Sequence, residues 1–389
     1  MVVADAELGG GFRVPVVGMV GAGQLARMTH QAAIDLGVEL VVLARRHDDP
    51  AVTAGAQVVY GAPDDPEALQ ALSGRCDVVT FDHEGVPHAR IAALEAAGAR
   101  VEPGSQAQLF AQDKLVARQG FAARGLPVPC FAPVGAGGSE EVLAFAAGHG
   151  WPVVLKARSG GYDGRGVVVV DGPGQAREAV EVLGSTGLLV EEHVDIAAEV
   201  ALVAVRSRSG EYSAYPLVAT LQSDGICTEL VMPAPVTSEL SERAGELARS
   251  VAESVDATGI IAVELFIDTR GKILINEIAL RPHNSGHATI EACVTSQFQN
   301  HLRAVLGWPL GDTSLVAPAA AMVNVLGPRD SSDPRARLAE ALAVRSASVH
   351  LYSKSTAVGR KLGHVTALGA TGAEALATAR RCAAVLTGA

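Results

Sequence analysis

Two acids, Glu264 and Glu277, stand in neighbouring apolar runs, and their setting demands a chemical explanation. Glu264 lies within Ile260–Ile267, Asn276-Glu277 ends the run from Lys272, and Asp268-Thr-Arg-Gly271 reads as the turn of a hairpin joining them. That four-residue turn is expected to set Glu264 opposite Glu277, on a face otherwise made of Ile273 and Ile275. Facing carboxylates in apolar surroundings cannot both ionise unless a cation sits between them. Hard oxygen ligands combined with phosphate oxygens suit magnesium. The competing reading gives each acid an arginine or solvent as its partner.

A second group of residues is suited to phosphate. Ser159-Gly-Gly-Tyr-Asp-Gly-Arg-Gly166 joins two apolar strands, and Lys156 precedes it inside the strand Val153–Ala157. Its glycines let backbone amides approach phosphate oxygens, and such a loop can move as a lid; the plain alternative is a flexible hairpin loop. Glu191-Glu-His-Val194 follows Leu188–Val190 at a change of domain, where a strand edge can pair with adenine and Glu199 can reach ribose hydroxyls; a solvated acidic loop would look the same. Arg281-Pro-His-Asn-Ser-Gly-His287 ends a strand just before a helix, an arrangement suited to an anion. Tyr352-Ser-Lys354 and Gly359-Arg-Lys-Leu-Gly-His364 concentrate positive charge late in an acidic chain, either for a ligand or as ordinary surface basicity. Gly21-Ala-Gly23-Gln-Leu-Ala26 fits the strand-to-helix turn of a dinucleotide fingerprint, but the second strand ends in Arg45-Arg46 where an acid is required. It reads equally as a tight packing turn.

The elements that must position these residues alternate regularly. Val14–Val20, a helix Gln24–Leu36 and Val38–Leu43 open a βαβ pattern, which Gln57–Tyr60, Asp77–Phe81 and helical sequence near Pro87–Ala97 extend into a doubly wound α/β unit. One helix is expected over Gln106–Arg124, then an α+β unit running to Leu188–Glu191. Beyond Ala198 the chain is strand-rich: Glu199–Ser207, Tyr212–Ala219, Ile226–Val231, Ile260–Ile267, Lys272–Ala279, Ala320–Leu326 and Ser348–Tyr352, with helices over Ser238–Ala257 and Thr289–Leu306. The expected division is an N-terminal doubly wound domain 14–105, a central lid 106–197 and a C-terminal α+β domain 198–389. The stretch before Arg13 reads as a loose leader or an upstream start.

Composition narrows the function. The chain has 389 residues, 49% of them hydrophobic, enough for two or three folded units at roughly 100 to 200 residues each. Its 31 Lys+Arg against 42 Asp+Glu, a formal charge of -11, argue against a surface that tracks nucleic acid. Cys76, Cys130, Cys227, Cys293 and Cys382 are scattered without CxxC spacing, so neither a disulfide framework nor a zinc site is expected. No apolar run reaches the 18 or so residues of a membrane helix. A cytoplasmic protein without membrane partners is the expectation.

In combination, the phosphate loop with its preceding lysine, the acidic hinge and the Glu…Asn-Glu pair resemble the ATP-grasp superfamily over residues 14–365. More narrowly, GAGQLARM, GGYDGRG, INEIALRPHNSGH, SQFQNHLRA and GRKLGH, in this order, are similar to the 5-(carboxyamino)imidazole ribonucleotide synthases, ATP-dependent carboxylases of purine synthesis. Leu280 and Ala288 depart from that pattern, where members often carry Pro and Trp. The resemblance implies an ATP-grasp fold with a pre-ATP-grasp domain, and a homodimer. It implies ATP bound by Lys114, Lys156, the loop Gly161, Tyr162, Asp163, Gly164, Arg165, Gly166 and Val167, the hinge Glu191, Glu192, His193 and Val194, and by Glu199, Gln222, Asn276 and Glu277. Glu264 and Glu277 would hold Mg2+, and Arg281, His283 and Asn284 would act on bicarbonate. The substrate 5-aminoimidazole ribonucleotide would meet Gly23, Gln24, Leu25, Glu84, Tyr162, Asp163, Arg165, Ser285, Lys354 and Arg360. Another ATP-grasp ligase, for instance one transferring formyl groups, would share the ATP and metal residues; a nicotinamide dehydrogenase would rest on the Gly21 turn alone, and a non-catalytic nucleotide sensor would lack the metal pair.

Overall fold

Parallel strands covered on both faces read as continuous apolar runs, and the opening unit obeys that rule. The computed structural model describes residues 13–160, 166–183, 187–223 and 225–388, so the leader reading for the first residues lies outside them. Strands β1 (Val16–Val20), β2 (Glu39–Ala44), β3 (Gln57–Tyr60) and β4 (Val78–Phe81) form a parallel sheet in the order β3-β2-β1-β4. The helix Gln24–Leu36 follows β1 and ends at Gly37, whose φ of 65° is the left-handed value glycine favours. The strand order reverses between β1 and β4, and the crevice at the carboxyl ends of such strands is where open α/β sheets bind ligands. The Gly21–Gly23 turn and Asp82–Glu84 stand there.

The expected helix Gln106–Arg124 is two helices, Ser105–Gln112 and Lys114–Ala123. Asp113 divides them because its side chain caps the second, with Oδ1 accepting from Leu115 N at 2.9 Å and Val116 N at 3.3 Å. Apolar periodicity runs across such a cap without a break, which hides it from pattern reading. Lys114 therefore starts a helix. The chain then builds the antiparallel sheet β5-β8-β6-β7 from β5 (Phe131–Val134), β6 (Val153–Ala157), β7 (Val167–Val170) and β8 (Leu188–Glu192). The helices Ser139–His149 and Pro173–Leu183 pack Val142, Phe145, Ala176 and Val180 onto one face of this sheet.

The largest sheet holds β9 (Ile196–Arg206), β10 (Tyr212–Ala214), β11 (Val218–Ser223), β12 (Ile226–Met232), β13 (Gly259–Asp268), β14 (Ile273–Ala279), β15 (Ala319–Leu326), β16 (Ala347–Leu351) and β17 (Lys361–Gly369). Its order is β14-β13-β9-β11-β12-β15-β17-β16, with β10 paired to β9. The expected strand Tyr212–Ala219 is broken into β10 and β11, since Pro216 between them has no N–H for a ladder. The expected helix Thr289–Leu306 also divides, into Thr289–Ala292 and Gln297–Leu306, the second started by a capping box of Ser296 and Gln299. On one face of the sheet, the helix Ser238–Val255 buries Ala244, Ala248, Val251, Ala252 and Val255 at helical spacing. The helix Gln297–Leu306 buries Phe298, Leu302 and Val305 against Met28 and Ala32 of the opening unit, tying the first sheet to the third. Leu280 and Ala288 are both fully enclosed in the apolar core, so these two departures are packing positions.

Candidate functional site

Glu264 on β13 is paired with Glu277 on β14, and a bulge makes the pairing. From the turn the register runs Ile267↔Ile273, Phe266↔Leu274 and Leu265↔Ile275, which if continued would put Asn276 opposite Glu264. The ladder slips there, so two residues, Asn276 and Glu277, oppose one. The turn alone does not produce the expected apposition. Glu199 joins them from β9, where it is paired with Phe266, and its carboxylate lies close enough to Glu264 to disfavour ionisation there. Burial, and next the Glu277 carboxylate, push the Glu264 carboxyl up to about 8. Burial opposes ionisation of Glu277 as well, but Lys114 pairs with it directly and holds it down to about 2. Acidic oxygens that resist joint ionisation until a cation arrives are a donor set that fits a hard divalent metal.

Lys156 donates to Asn276 Oδ1 at 3.1 Å and pairs with Glu191 Oε2 at 2.7 Å. Glu191 Oε1 in turn accepts from Arg118 Nε at 2.5 Å, and Arg118 and Glu191 are almost wholly withdrawn from solvent. Burial alone would raise the Glu191 carboxyl, yet Lys156 and Arg118 hold it below the usual range. The expected ammonium groups, Lys114 and Lys156, thus converge on neighbouring residues of the β14 bulge. Glu191 is the anchor of Lys156, while Glu192 accepts from Cys130 N at 2.8 Å, so both hinge carboxylates are spent inside the protein. His193 and Val194 follow in the exit from β8. Burial raises the Glu199 carboxyl, and a hydrogen bond with Gln222 of β11 partly offsets that. Gly161, Tyr162, Asp163, Gly164 and Arg165 lie outside the described residues; Gly166 and Val167 lead into β7.

The loop after β14 forms the third side of the cleft. Arg281 makes a two-point ion pair with Glu84, Nε to Oε1 at 2.8 Å and Nη2 to Oε2 at 3.1 Å, so the structure joins a residue expected at bicarbonate with one expected at the ribonucleotide. His283 stands 3.5 Å from Glu264 through Nε2, and its Nδ1 meets Ser285 Oγ at 2.8 Å and accepts from Ser285 N at 3.3 Å. Burial and the Arg281 charge push His283 down to about 3, so the ring is neutral with its proton on Nε2, facing Glu264. The Asn284 Nδ2 is buried and makes no hydrogen bond, a donor available to an anion. At the switch point, Gly21 N bonds Leu43 O at 3.1 Å and Gly23 N bonds Asp82 Oδ2 at 2.8 Å, so neither amide is open to a pyrophosphate. A Cβ on Gly21 would collide with the Asp82 carboxylate. Gln24 begins the helix, and the Leu25 side chain belongs to the core. Lys354 lies 5.7 Å from the Tyr352 ring centre, and Arg360 bonds Ser355 O at 3.1 Å and Ser355 Oγ at 2.7 Å, placing both on the segment between β16 and β17.

Four supports escaped the sequence reading. Gln297, fully buried, accepts from His283 N at 2.9 Å and donates to His283 O at 2.7 Å, clamping the anion loop. Arg118 braces Lys156 through Glu191, and Asp82 braces the first turn. Lys361 at the head of β17 places its charge where it favours ionised Glu264 and opposes protonation of His283. Lys361 stood inside the GRKLGH motif and Gln297 inside SQFQNHLRA, so motif membership was a usable signal for these two, while Asp82 was flagged only by its nearness to Glu84. Arg118 carried none beyond polarity on an otherwise apolar helix face.

Comparison with known proteins agrees with this geometry. The ribonucleotide synthetase preATP-grasp domain matches residues 14–112, the ATP-grasp domain matches 119–298, and the phosphoribosylaminoimidazole carboxylase C-terminal domain matches 320–378. N5-carboxyaminoimidazole ribonucleotide synthase of Mycobacterium tuberculosis is 47% identical over 365 residues, covering 92% of this chain and 84% of the relative. The enzyme of the same name from Corynebacterium ammoniagenes is 42% identical, covering 92% and 88%. Among solved structures, N5-carboxyaminoimidazole synthase from Aspergillus clavatus, in complex with ADP and 5-aminoimidazole ribonucleotide, superposes with a TM-score of 0.90 at 32% identity over 97% of this chain and 99% of that one. The Thermus thermophilus N5-carboxyaminoimidazole ribonucleotide synthetase gives 0.83 at 36% identity over 96% and 98%. The chain is therefore an ATP-grasp protein and belongs to the N5-carboxyaminoimidazole ribonucleotide synthase family.

Proposed function

We propose that this protein uses ATP and bicarbonate to carboxylate 5-aminoimidazole ribonucleotide, yielding N5-carboxyaminoimidazole ribonucleotide, ADP and phosphate in purine biosynthesis. The observation that carries the reading is the convergence, in one cleft, of Lys114 and Lys156 with the Glu264–Glu277 pair and the Arg281–Asn284 loop. The relatives' names and the ligands of the Aspergillus complex support the same substrates. We assign three working units, 14–105, 106–197 and 198–389, with the second as the lid, in a cytoplasmic homodimer.

Bicarbonate is a poor electrophile, so its oxygen attacks the γ-phosphorus of ATP, expelling ADP and forming carboxyphosphate. Lys114 and Lys156 hold the phosphates, and the Gly161–Val167 loop, with Tyr162, Asp163, Gly164, Arg165 and Gly166, covers them. The backbone from Glu191 to Val194 receives adenine, and Glu199 with Gln222 receives ribose. Glu264 and Glu277, with Asn276 alongside, would hold Mg2+, which supplies charge neutralisation for the transferring phosphoryl group. Arg281, the His283 Nε2–H and the unpartnered Asn284 Nδ2 orient bicarbonate. Carboxyphosphate breaks down to carbon dioxide and phosphate, and the exocyclic amine of the ribonucleotide captures the carbon dioxide and gives up a proton. Gly23, Gln24, Leu25, Glu84, Ser285, Lys354 and Arg360, with the lid residues, hold that substrate. Water must be kept out because it would destroy the intermediate. Phosphate release from ATP, measured with and without bicarbonate and 5-aminoimidazole ribonucleotide, tests the proposal: stimulation by the ribonucleotide is expected, and stimulation by formate or an amino acid instead would assign another ligase.

A further inference from the structure

Arg118 has no place in the chemistry above, yet its side chain is about 1% exposed and carries a full charge. It lies one helical turn after Lys114 on the helix Lys114–Ala123, the i, i+4 spacing that puts both cations on one face. Across from it, Glu191 sits on β8 opposite Val154 of β6, so Lys156 is its diagonal neighbour on the same sheet face. The Glu191 carboxylate is shared, Oε1 with Arg118 at 2.5 Å and Oε2 with Lys156 at 2.7 Å.

This sharing has an electrostatic consequence. A buried Lys156–Glu191 pair alone would be neutral, and its carboxylate would compete with any phosphate for the ammonium. With Arg118 the trio carries net positive charge, and half of the Glu191 acceptor capacity is diverted from Lys156. Buried ion groups are often no more stabilising than an apolar cluster of the same volume, so stability alone is a poor reason for three of them beneath a cleft. The Arg118 Nη2, buried and without a hydrogen-bond partner, adds to that cost. We infer that Arg118 is a positioning residue for ATP: it fixes Glu191, which aims the Lys156 ammonium at the phosphates and leaves its charge available to them. The inference rests on the reading of Lys156 as a phosphate ligand.

The test is a double-mutant cycle on Michaelis constants for ATP and for the ribonucleotide, using Arg118→Met, Lys156→Met and the double variant in the full-length enzyme. Arg118→Met should raise KM for ATP about 10- to 100-fold, the scale of a lost hydrogen bond between charged groups, and leave the ribonucleotide constant unchanged. In the Lys156→Met background the Arg118 change should add nothing, since its target is gone. Arg118→Lys should fall between parent and Arg118→Met, and it decides the matter through the same cycle if Arg118→Met does not fold. Full additivity, or parallel increases in both constants, would overturn the inference and make Arg118 a purely structural ion. An unchanged ATP constant in Lys156→Met would instead remove Lys156 from the phosphates, and the inference with it.

Discussion

Asn276 is the residue that lets Glu277 face Glu264. It occupies the bulge of β14, and without that slip in register Asn276 itself would stand opposite Glu264. The same slip presents adjacent side chains to two different lysines, Asn276 to Lys156 and Glu277 to Lys114. Bulges re-aim side chains next to active sites, and here one bulge brings together the acid pair and both ammonium groups.

Glu264→Gln and Glu277→Gln should each abolish turnover, by about a thousandfold or more, the scale for groups that stabilise charge in the transferring phosphoryl. Each removes a metal-binding charge with almost no change of shape, so circular dichroism should remain that of the folded parent. The melting temperature should stay close to the parent's for Glu264→Gln and fall for Glu277→Gln, which takes away the ion-pair partner of Lys114. Steady-state phosphate release checks this, and near-normal activity in either variant would take that residue out of the metal site.

The sequence made the acid pair legible because carboxylates inside apolar strands have few explanations. The bulge that pairs them was not legible, since a hairpin with or without an extra residue has the same alternation near its turn. Periodicity likewise ran through Asp113 and through Cys293–Ser296, so single helices were expected where caps make two. The strand Lys361–Gly369 and the helix Gly372–Thr387 were missed because Ala and Gly blur the contrast on which both periods depend. Arg118 was silent for another reason: its partner, Glu191, is remote in sequence, and a buried polar residue is recognised only through what it touches. Gln297 stood in the SQFQNHLRA motif, but its clamp on His283 was hidden in the same way.

Gly286→Ala tests the clamp on the anion loop. An added Cβ would overlap the Gln297 side-chain amide that holds both backbone groups of His283. Overpacking of this kind costs about 1 to 3 kcal/mol, and displacement of His283 should lower kcat as well. Gly174→Ala is the control, because Gly174 lies in the helix Pro173–Leu183 with open space at its Cβ. That change should be neutral or stabilise by up to about 1 kcal/mol. Thermal melts of the two variants should differ in sign, and equal melting temperatures would mean that the loop yields freely.

His301 links three elements and should make stability fall in acid. It is fully buried, accepts from Ile260 N at 3.2 Å through Nδ1, and meets Thr80 Oγ1 at 2.9 Å through Nε2. Burial lowers it from the ordinary 6.5 to about 3. Between those values the unfolded chain binds a proton that the folded protein refuses, so the contribution is fully present above 6.5 and is lost as pH falls toward 3. One such group gives a slope of at most about 1.4 kcal/mol per pH unit. His287 and His364 are depressed in the same direction, so removing His301 flattens the profile only in part. Urea midpoints of parent and His301→Gln from pH 7 to pH 4.5 should converge as pH falls; parallel curves would contradict the assignment.

The late basic segment should grip the 5′-phosphate of the ribonucleotide. Lys354 and Arg360 lie between β16 and β17, beside the strand whose first residue, Lys361, already acts electrostatically on Glu264 and His283. In a chain of net charge -11, a dianion needs such a local concentration of donors. Arg360 can give two parallel hydrogen bonds to a phosphate once it leaves Ser355, and Lys354 adds a mobile point charge. Lys354→Ala and Arg360→Ala should each cost about 1.5 to 3 kcal/mol of ribonucleotide binding, the scale for hydrogen bonds to charged groups. The loss should appear as a raised KM for the ribonucleotide with little change in that for ATP, whose phosphates are assigned to Lys114, Lys156 and the glycine loop. Arg118→Met should give the opposite split. If both alanine variants keep the parent's ribonucleotide dependence, the two residues are ordinary surface charge, and the substrate phosphate must be sought at the Gln24 helix start instead.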